Sequence, residues 1–253
     1  MSSTSPQTSG PLSVEQVETF FREGYLLVAQ LLKHEDIDRV VAALNQISPV
    51  VSGHKVWQPS IWDHDTWEKN APLHRLLVDA NLIQAIEQIF EVPARILYGM
   101  TAVVPARGGK GLPWHSDNQY TQVLGFALNA FIAMCDITPD KAILWVAPKS
   151  HLAGVQPSQE ASLRDKEMGG HREAVIEPKN GMPLPTMHKG DVVIFDRSTY
   201  HRSLKNETDE DRYAYAAQYQ ADNARDATTG RKDGFRPMHR AWDVRKVLLE
   251  HLK

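Results

Sequence analysis

Apolar residues recur at helical spacing near the start of the chain. Ser13, with Gln16 three residues on, forms a capping box, and Val14, Val17, Phe20 and Phe21 make one stripe. A helix is therefore predicted from Ser13, ending at Gly24. Residues 25–29 read as a strand. Residues 34–47 read as a second helix with Ile37, Val40, Val41 and Leu44 inward, and residues 81–90 as a third. From Arg95 the period changes. Short apolar runs at 96–104, 125–135, 142–147, 192–195, 200–204 and 212–219 are divided by breaks rich in Gly, Pro and Asp. Such runs predict a β-sandwich or jelly roll. Residues 241–252 read as a closing helix, and 156–185 as a long loop or insertion. The expected class is α+β, with N-terminal helices packed on a jelly-roll core.

Two stretches lack a period. Residues 1–12 are rich in Ser, Thr, Pro, Gln and Gly and read as a frayed tail ahead of one domain over 13–253. Residues 48–72 carry Trp57, Trp62 and Trp67 and read as an irregular covering segment, of the kind that walls binding sites.

A chain of 253 residues with 42% hydrophobic and 23% charged residues suits one large globular domain. A formal net charge of −3 gives no positive excess to meet nucleic acid or an anionic membrane. Cys135 stands alone, so no internal disulfide forms, which fits a reducing compartment. The opening residues carry no basic or apolar block of a signal peptide. The most apolar stretch, 123–135, is too short to span a bilayer and is interrupted by Asn129. A cytoplasmic location is expected; the oligomeric state is not readable.

Candidate chemistry centres on Pro113-Trp114-His115-Ser116-Asp117. A His-x-Asp is a weak signal alone, and His34-Glu35-Asp36 shows it, since that copy sits at a helix start where acidic residues favour the dipole. His115 instead follows a Gly-rich loop among strand-like runs. On extended backbone, residues two apart project to one side, so His115 and Asp117 can converge on one ion. His201, beyond the 192–195 run, is the best third ligand. Two histidines and a carboxylate leave positions open on Fe(II) for a cosubstrate and O2. Taken singly, the same residues could be a loop ion pair and a core histidine.

Arg212 lies eleven residues after His201 and opens Arg-Tyr-Ala-Tyr-Ala-Ala-Gln-Tyr. Alternation puts Arg212, Ala214, Ala216 and Gln218 on one face and the tyrosines on the other. An Arg beside alanines suits a cavity wall, where a guanidinium can grip a carboxylate through paired hydrogen bonds. Ser203 shares the side of His201 and could add a donor. Arg107, Lys110 and Arg197 are further cations that could meet an anionic substrate, and Tyr120 and the three tryptophans could line its pocket.

Together these blocks resemble the phytanoyl-CoA dioxygenase family of Fe(II)/2-oxoglutarate oxygenases. The resemblance rests on Phe20-Phe21-Arg22-Glu23-Gly24-Tyr25-Leu26, Trp114-His115-Ser116-Asp117 and residues 144–151 ending in Pro148-Lys149-Ser150-His151. The last block runs from Gly190-Asp191 through His201, Ser203 and Asn206 to Arg212. It implies a double-stranded β-helix, Fe(II) held by His115, Asp117 and His201, and 2-oxoglutarate held by Arg212 and Ser203. It further implies that Met100, Phe131 and Lys55 lie near the cosubstrate and that His151 structures a loop. Lys149 stands where the family usually has Gly, and Ala142 replaces a common Gly in the preceding turn. Related halogenases carry Gly or Ala at the position of Asp117, so a carboxylate there favours hydroxylation or another oxidation. The implied reaction oxidises a C–H bond of a small substrate, such as an amino acid or secondary metabolite, with release of succinate and CO2. A cupin-like metalloenzyme without 2-oxoglutarate, a zinc hydrolase and a non-catalytic jelly-roll binding protein are the rival readings.

Overall fold

The computed structural model describes residues 10–47, 55–57, 71–161, 171–233 and 238–252. Its longer helices are α1 (Val14–Glu23), α2 (His34–Ile47), α3 (Ala80–Phe90) and α4 (Ala241–His251). The strands are β1 (Tyr25–Val28), β2 (Lys55–Trp57), β3 (Ala94–Val104), β4 (Val123–Leu124), β5 (Ala127–Ala133), β6 (Leu144–Val146) and β7 (Ser158–Glu160). They continue with β8 (Arg172–Ala174), β9 (Met182–Pro183), β10 (Val192–Asp196), β11 (His201–Ser203), β12 (Arg212–Ala221) and β13 (Arg225–Asp226). The large sheet has the order β1-β10-β5-β12-β3-β2, and a smaller one β11-β6-β9, with every pairing antiparallel. This is a mixed fold of helices and antiparallel sheets.

The large sheet is buried on both faces, and strand alternation sorts its residues between two cores. Along β5, Leu128, Ala130 and Ile132 join the helix-side core, while Phe131 and Ala133 face a second core beneath the smaller sheet. Along β12, Tyr215, Ala217 and Tyr219 face the helices and Ala214 faces the inner core. The tyrosines thus pack against the helical layer, as the alternation predicts. Tyr219 Oη donates to the Leu77 carbonyl at 2.6 Å, which satisfies its one polar atom there. Helix side chains Phe20, Ile37, Val40, Leu44, Leu82, Ile83 and Ile86 complete the outer core.

The turn after α1 ties the helical layer to the sheets. Ser13 and Gln16 make the predicted capping box, and Gly24 closes the helix at φ +81°, in the left-handed region. The Gly24 carbonyl accepts from Asp196 N (3.0 Å) and Thr199 Oγ1 (2.8 Å). The His151 Nε2 lies 3.2 Å from the Phe21 carbonyl at the same helix end. His151 therefore braces a loop against α1, the role expected from its motif. The two residues that stand in place of the usual glycines, Ala142 (φ 51°) and Lys149 (φ 65°), both adopt positive φ. The turns keep the backbone that glycine favours, at the strain a side chain adds.

Three expectations need correction or restriction. The segment 156–185 is not simply a loop, because it contains β7, β8 and β9, with β7 paired to β8 and β9 on the edge of the smaller sheet. Leu12, counted with the tail, is buried and holds Gln88 of α3 through hydrogen bonds of 2.9 and 3.0 Å. Of the covering segment 48–72, Trp62 and Trp67 fall outside the described residues, and of Trp57 only the backbone, in β2, is described. No helix among the described residues is long and apolar enough to cross a membrane.

Two outcomes follow from this packing. A Cβ added at Gly24 would come within 2.2 Å of His151 Nδ1 on top of an unfavourable φ, so Gly24→Ala should destabilise by at least about 1 kcal/mol. Urea unfolding checks it, and an unchanged midpoint would contradict the brace. His74 is fully buried, and burial lowers its pKa from 6.5 to about 3. Between those values the unfolded chain binds a proton that the folded one refuses, so this stabilisation is complete above pH 6.5 and is lost as pH falls. Relative to wild type, His74→Gln should flatten the fall in unfolding free energy by up to about 1.4 kcal/mol per pH unit in that window. Equal slopes in both proteins would refute it.

Candidate metal centre

His115 and His201 face one another across an antiparallel bridge at the edge of the smaller sheet. His115 N donates to His201 O at 3.1 Å, and His201 N donates to His115 O at 2.9 Å. Such a pair directs both side chains to one side of the ribbon, and the two rings lie 4.2 Å apart between centroids. Asp117, two residues on, opens a short 3-10 turn, Asp117–Gln119. One donor atom from each of the three residues lies within 4.8 Å of the others. His115 Nε2 stands 3.8 Å from Asp117 Oδ1.

Both imidazoles are oriented by their own backbone. His115 Nδ1 lies 2.8 Å from the Pro113 carbonyl and His201 Nδ1 lies 3.0 Å from the Thr199 carbonyl. A carbonyl can only accept, so each Nδ1 carries a proton and Nε2 is the nitrogen of each ring that could serve a metal. Burial, reinforced by the neighbouring His201, lowers the His115 pKa to about 4, which keeps the ring neutral. Burial opposes ionisation of Asp117, but His201, Arg197, His115 and the Asn129 hydrogen bond outweigh it and hold the pKa below the usual value. Two histidine nitrogens and a carboxylate within reach of one point fit the donor set of a mononuclear iron site with open positions. Phe195 flanks His201 at 4.6 Å and Tyr120 meets His115 edge-on at 5.9 Å, both between ring centroids.

The inner face of β12 runs from Gln218, which donates to Asp117 Oδ2 at 3.1 Å, past Ala216 and Ala214 to Arg212. Arg212 is only 3% exposed, and its Nε and Nη1 have no hydrogen-bond partner among the described residues. Its guanidinium lies 5.3 Å from the Phe131 ring centroid. Burial lowers its pKa to about 10, so it remains charged at neutral pH. A buried, charged and unpaired guanidinium is costly unless an anion completes it.

The remaining predicted residues are placed as follows. Ser203 Oγ accepts from Leu112 N at 3.2 Å, which leaves its own proton free to donate. Met100 is paired with Ala216 in register, and its sulfur accepts from Tyr98 Oη at 3.4 Å. Phe131 lies beside Arg212. Lys55 begins β2, with Val103 as its register partner, and its side chain lies outside the described residues. Arg197 is not a free cation awaiting an anionic substrate. It is 3% exposed and hydrogen-bonded to Asn118 (3.3 Å) and to the Asp117 (3.0 Å) and Thr121 (3.3 Å) carbonyls. Arg107 pairs with Asp209 at 2.8 Å on the exposed surface. The sequence reading did not single out Asn129 as a partner of Asp117. Its one signal was a polar residue inside a run buried at every position.

Comparison with known proteins gives a family and a shared fold. The profile of the family described as phytanoyl-CoA dioxygenase (PhyH) matches residues 20–214. An ectoine dioxygenase of Halomonas elongata is 25% identical over 224 residues, which cover 79% of this chain and 67% of that one. The crystal structure of EvdO2 from Micromonospora carbonacea with 2-oxoglutarate superposes with a TM-score of 0.71 at 16% identity, covering 87% of this chain and 95% of the other. The epimerase SnoN, in complex with Fe3+, alpha-ketoglutarate and nogalamycin RO, superposes with a TM-score of 0.66 at 17% identity, covering 84% of each chain. With more than half of its length matched, the chain belongs to the phytanoyl-CoA dioxygenase family.

Proposed function

We propose that His115, Asp117 and His201 bind Fe(II) and that Arg212, assisted by Ser203, holds the far carboxylate of 2-oxoglutarate. As a family member with this triad in place, the protein is a non-haem iron, 2-oxoglutarate-dependent dioxygenase. The observation that carries the residue assignment is Arg212, a buried guanidinium with two unpaired nitrogens on the face of β12 from which Gln218 reaches Asp117. When bound, the iron supplies activation of O2 coupled to decarboxylation of 2-oxoglutarate to succinate and CO2. The chain supplies the rest. The carbonyls of Pro113 and Thr199 orient the two Nε2 donors, Arg212 fixes the cosubstrate, and the apolar inner core around Phe131, Val193 and Phe195 keeps water out.

The architecture is read as a double-stranded β-helix. Support comes from the strand order β10-β5-β12-β3 in one sheet facing β9-β6-β11 and the His115 segment in the other. The substrate is read as a small organic molecule whose C–H bond is hydroxylated. The names of similar proteins support the small molecule, ectoine in one and nogalamycin RO in another, and the name dioxygenase supports the oxidation. A rival reading without 2-oxoglutarate leaves Arg212 unexplained.

Anaerobic titration of apo-protein with Fe(II) and then 2-oxoglutarate should give a visible charge-transfer band. The band should be absent in His115→Ala and weakened in Arg212→Met. Arg212→Met should raise the KM for 2-oxoglutarate at least about 30-fold and, by removing an unpaired buried charge, should make the apo-protein more stable. No band in folded, metal-loaded protein would end the 2-oxoglutarate assignment.

A further inference from the structure

Asp117 is held by more than its place in the turn. Its Oδ2 accepts from Gln218 Nε2 at 3.1 Å and also from Asn129 Nδ2. Both amides come from the inner face of the large sheet, where Gln218 and Asn129 are register partners on β12 and β5. Behind them lies Arg197. Its Nη1 donates to Gln218 Oε1, its Nη2 to the carbonyls of Asp117 (3.0 Å) and Thr121 (3.3 Å), and its Nε to Asn118 Oδ1 (3.3 Å). Asn118 passes the connection to Ser198 Oγ at 2.9 Å. Arg197, Asn129 and Gln218 are 3%, 3% and 7% exposed, so water does not compete.

The chemistry of these groups gives the network a direction. A guanidinium has only donors, so the Gln218 atom that faces it must be the amide oxygen. The amide nitrogen is thereby turned to Asp117, with no freedom to flip. With Oδ2 occupied by two N–H donors, the oxygen left for an ion is Oδ1, the one nearest His115 Nε2. A carboxylate that lent both oxygens would close one of the three positions that two histidines and a single oxygen leave open. A keto acid and O2 would need those positions.

We propose that Gln218 and Asn129, with Gln218 set by Arg197, are positioning residues that confine Asp117 to ligation through one oxygen. The inference rests on the metal assignment above and concerns residues that do not themselves touch the ion. Outer partners of metal ligands govern ligand orientation and hence affinity.

The test is Co(II) binding to the full-length apo-protein, followed by absorbance, in wild type, Gln218→Met, Asn129→Leu and the double variant. Both substitutions keep side-chain size and remove the donor. Each single variant should weaken the Kd about tenfold and the double variant about 100-fold, while the Tm of each apo-protein stays within a few degrees of wild type. Arg197→Lys, which offers one nitrogen where the guanidinium uses three, should fall between wild type and Gln218→Met. Wild-type binding that both single variants match within twofold would overturn the positioning role alone. Failure of wild type to bind Co(II), or binding that survives His115→Ala, would overturn the metal assignment and the inference with it.

Discussion

The backbone pairing of His115 with His201 is the contact on which the site depends. Two N–H···O bonds join residues 86 positions apart in the chain and bring two rings to 4.2 Å. Local carbonyls orient each ring, Pro113 for His115 and Thr199 for His201, but they do not bring the two together. His201 is placed by β11, which pairs with β6 from Leu144 to Val146. His115 is placed by its bridge to His201 and by bonds to its neighbours, Ala174 N to the Trp114 carbonyl (2.7 Å) and Arg197 Nη2 to the Asp117 carbonyl (3.0 Å). The site is thus completed when the smaller sheet forms. Asp117 follows because a residue two beyond His115 returns to the same side, and the 3-10 turn stops the chain from carrying it away.

The large sheet supports this arrangement by being buried twice. Its outer face is sealed by helices through Tyr215, Tyr219 and the aliphatic rows of α2 and α3, so it is a stiff wall. Its inner face is then available for polar residues at chosen positions. Asn129, Gln218 and Arg212 occupy three of these on the adjacent strands β5 and β12, with small alanines between them on β12. Because register is locked by the apolar outer face, a one-residue slip would turn all three toward the helices. The outer core therefore specifies the inner chemistry, although no residue of it touches the site.

Much of this was legible in the sequence, and the reason differs by element. The capping box at Ser13, the limits of α2 and the face of β12 follow from local periodicity and hold in the structure. Convergence of His115 and Asp117 follows from a two-residue spacing. What local reasoning cannot supply is long-range partnership. β7, β8 and β9 are two or three residues each, too short to show a period, so their segment read as a loop. Arg197 read as a cation that could meet an anionic substrate because its partners, Gln218 and the Asp117 carbonyl, are distant in sequence. Ala142 and Lys149 show the reverse. The family resemblance marked them as departures from glycine, and positive φ at both gives that departure its physical content.

The two buried arginines make the final contrast. Arg197 and Arg212 are equally inaccessible at 3% exposure, and burial lowers the pKa of both. For Arg197 the chain itself provides acceptors for the guanidinium, together with the nearby negative charge of Asp117. For Arg212 it leaves two nitrogens without partners among the described residues and sets an aromatic ring alongside. Burial cost alone cannot tell a structural arginine from a binding one, since both incur it. The completeness of the hydrogen-bond set can, because a guanidinium evolved only for packing would be expected to find its acceptors within the fold. By that criterion Arg197 belongs to the scaffold around Asp117, and the proposal of an anion that arrives from outside rests on Arg212.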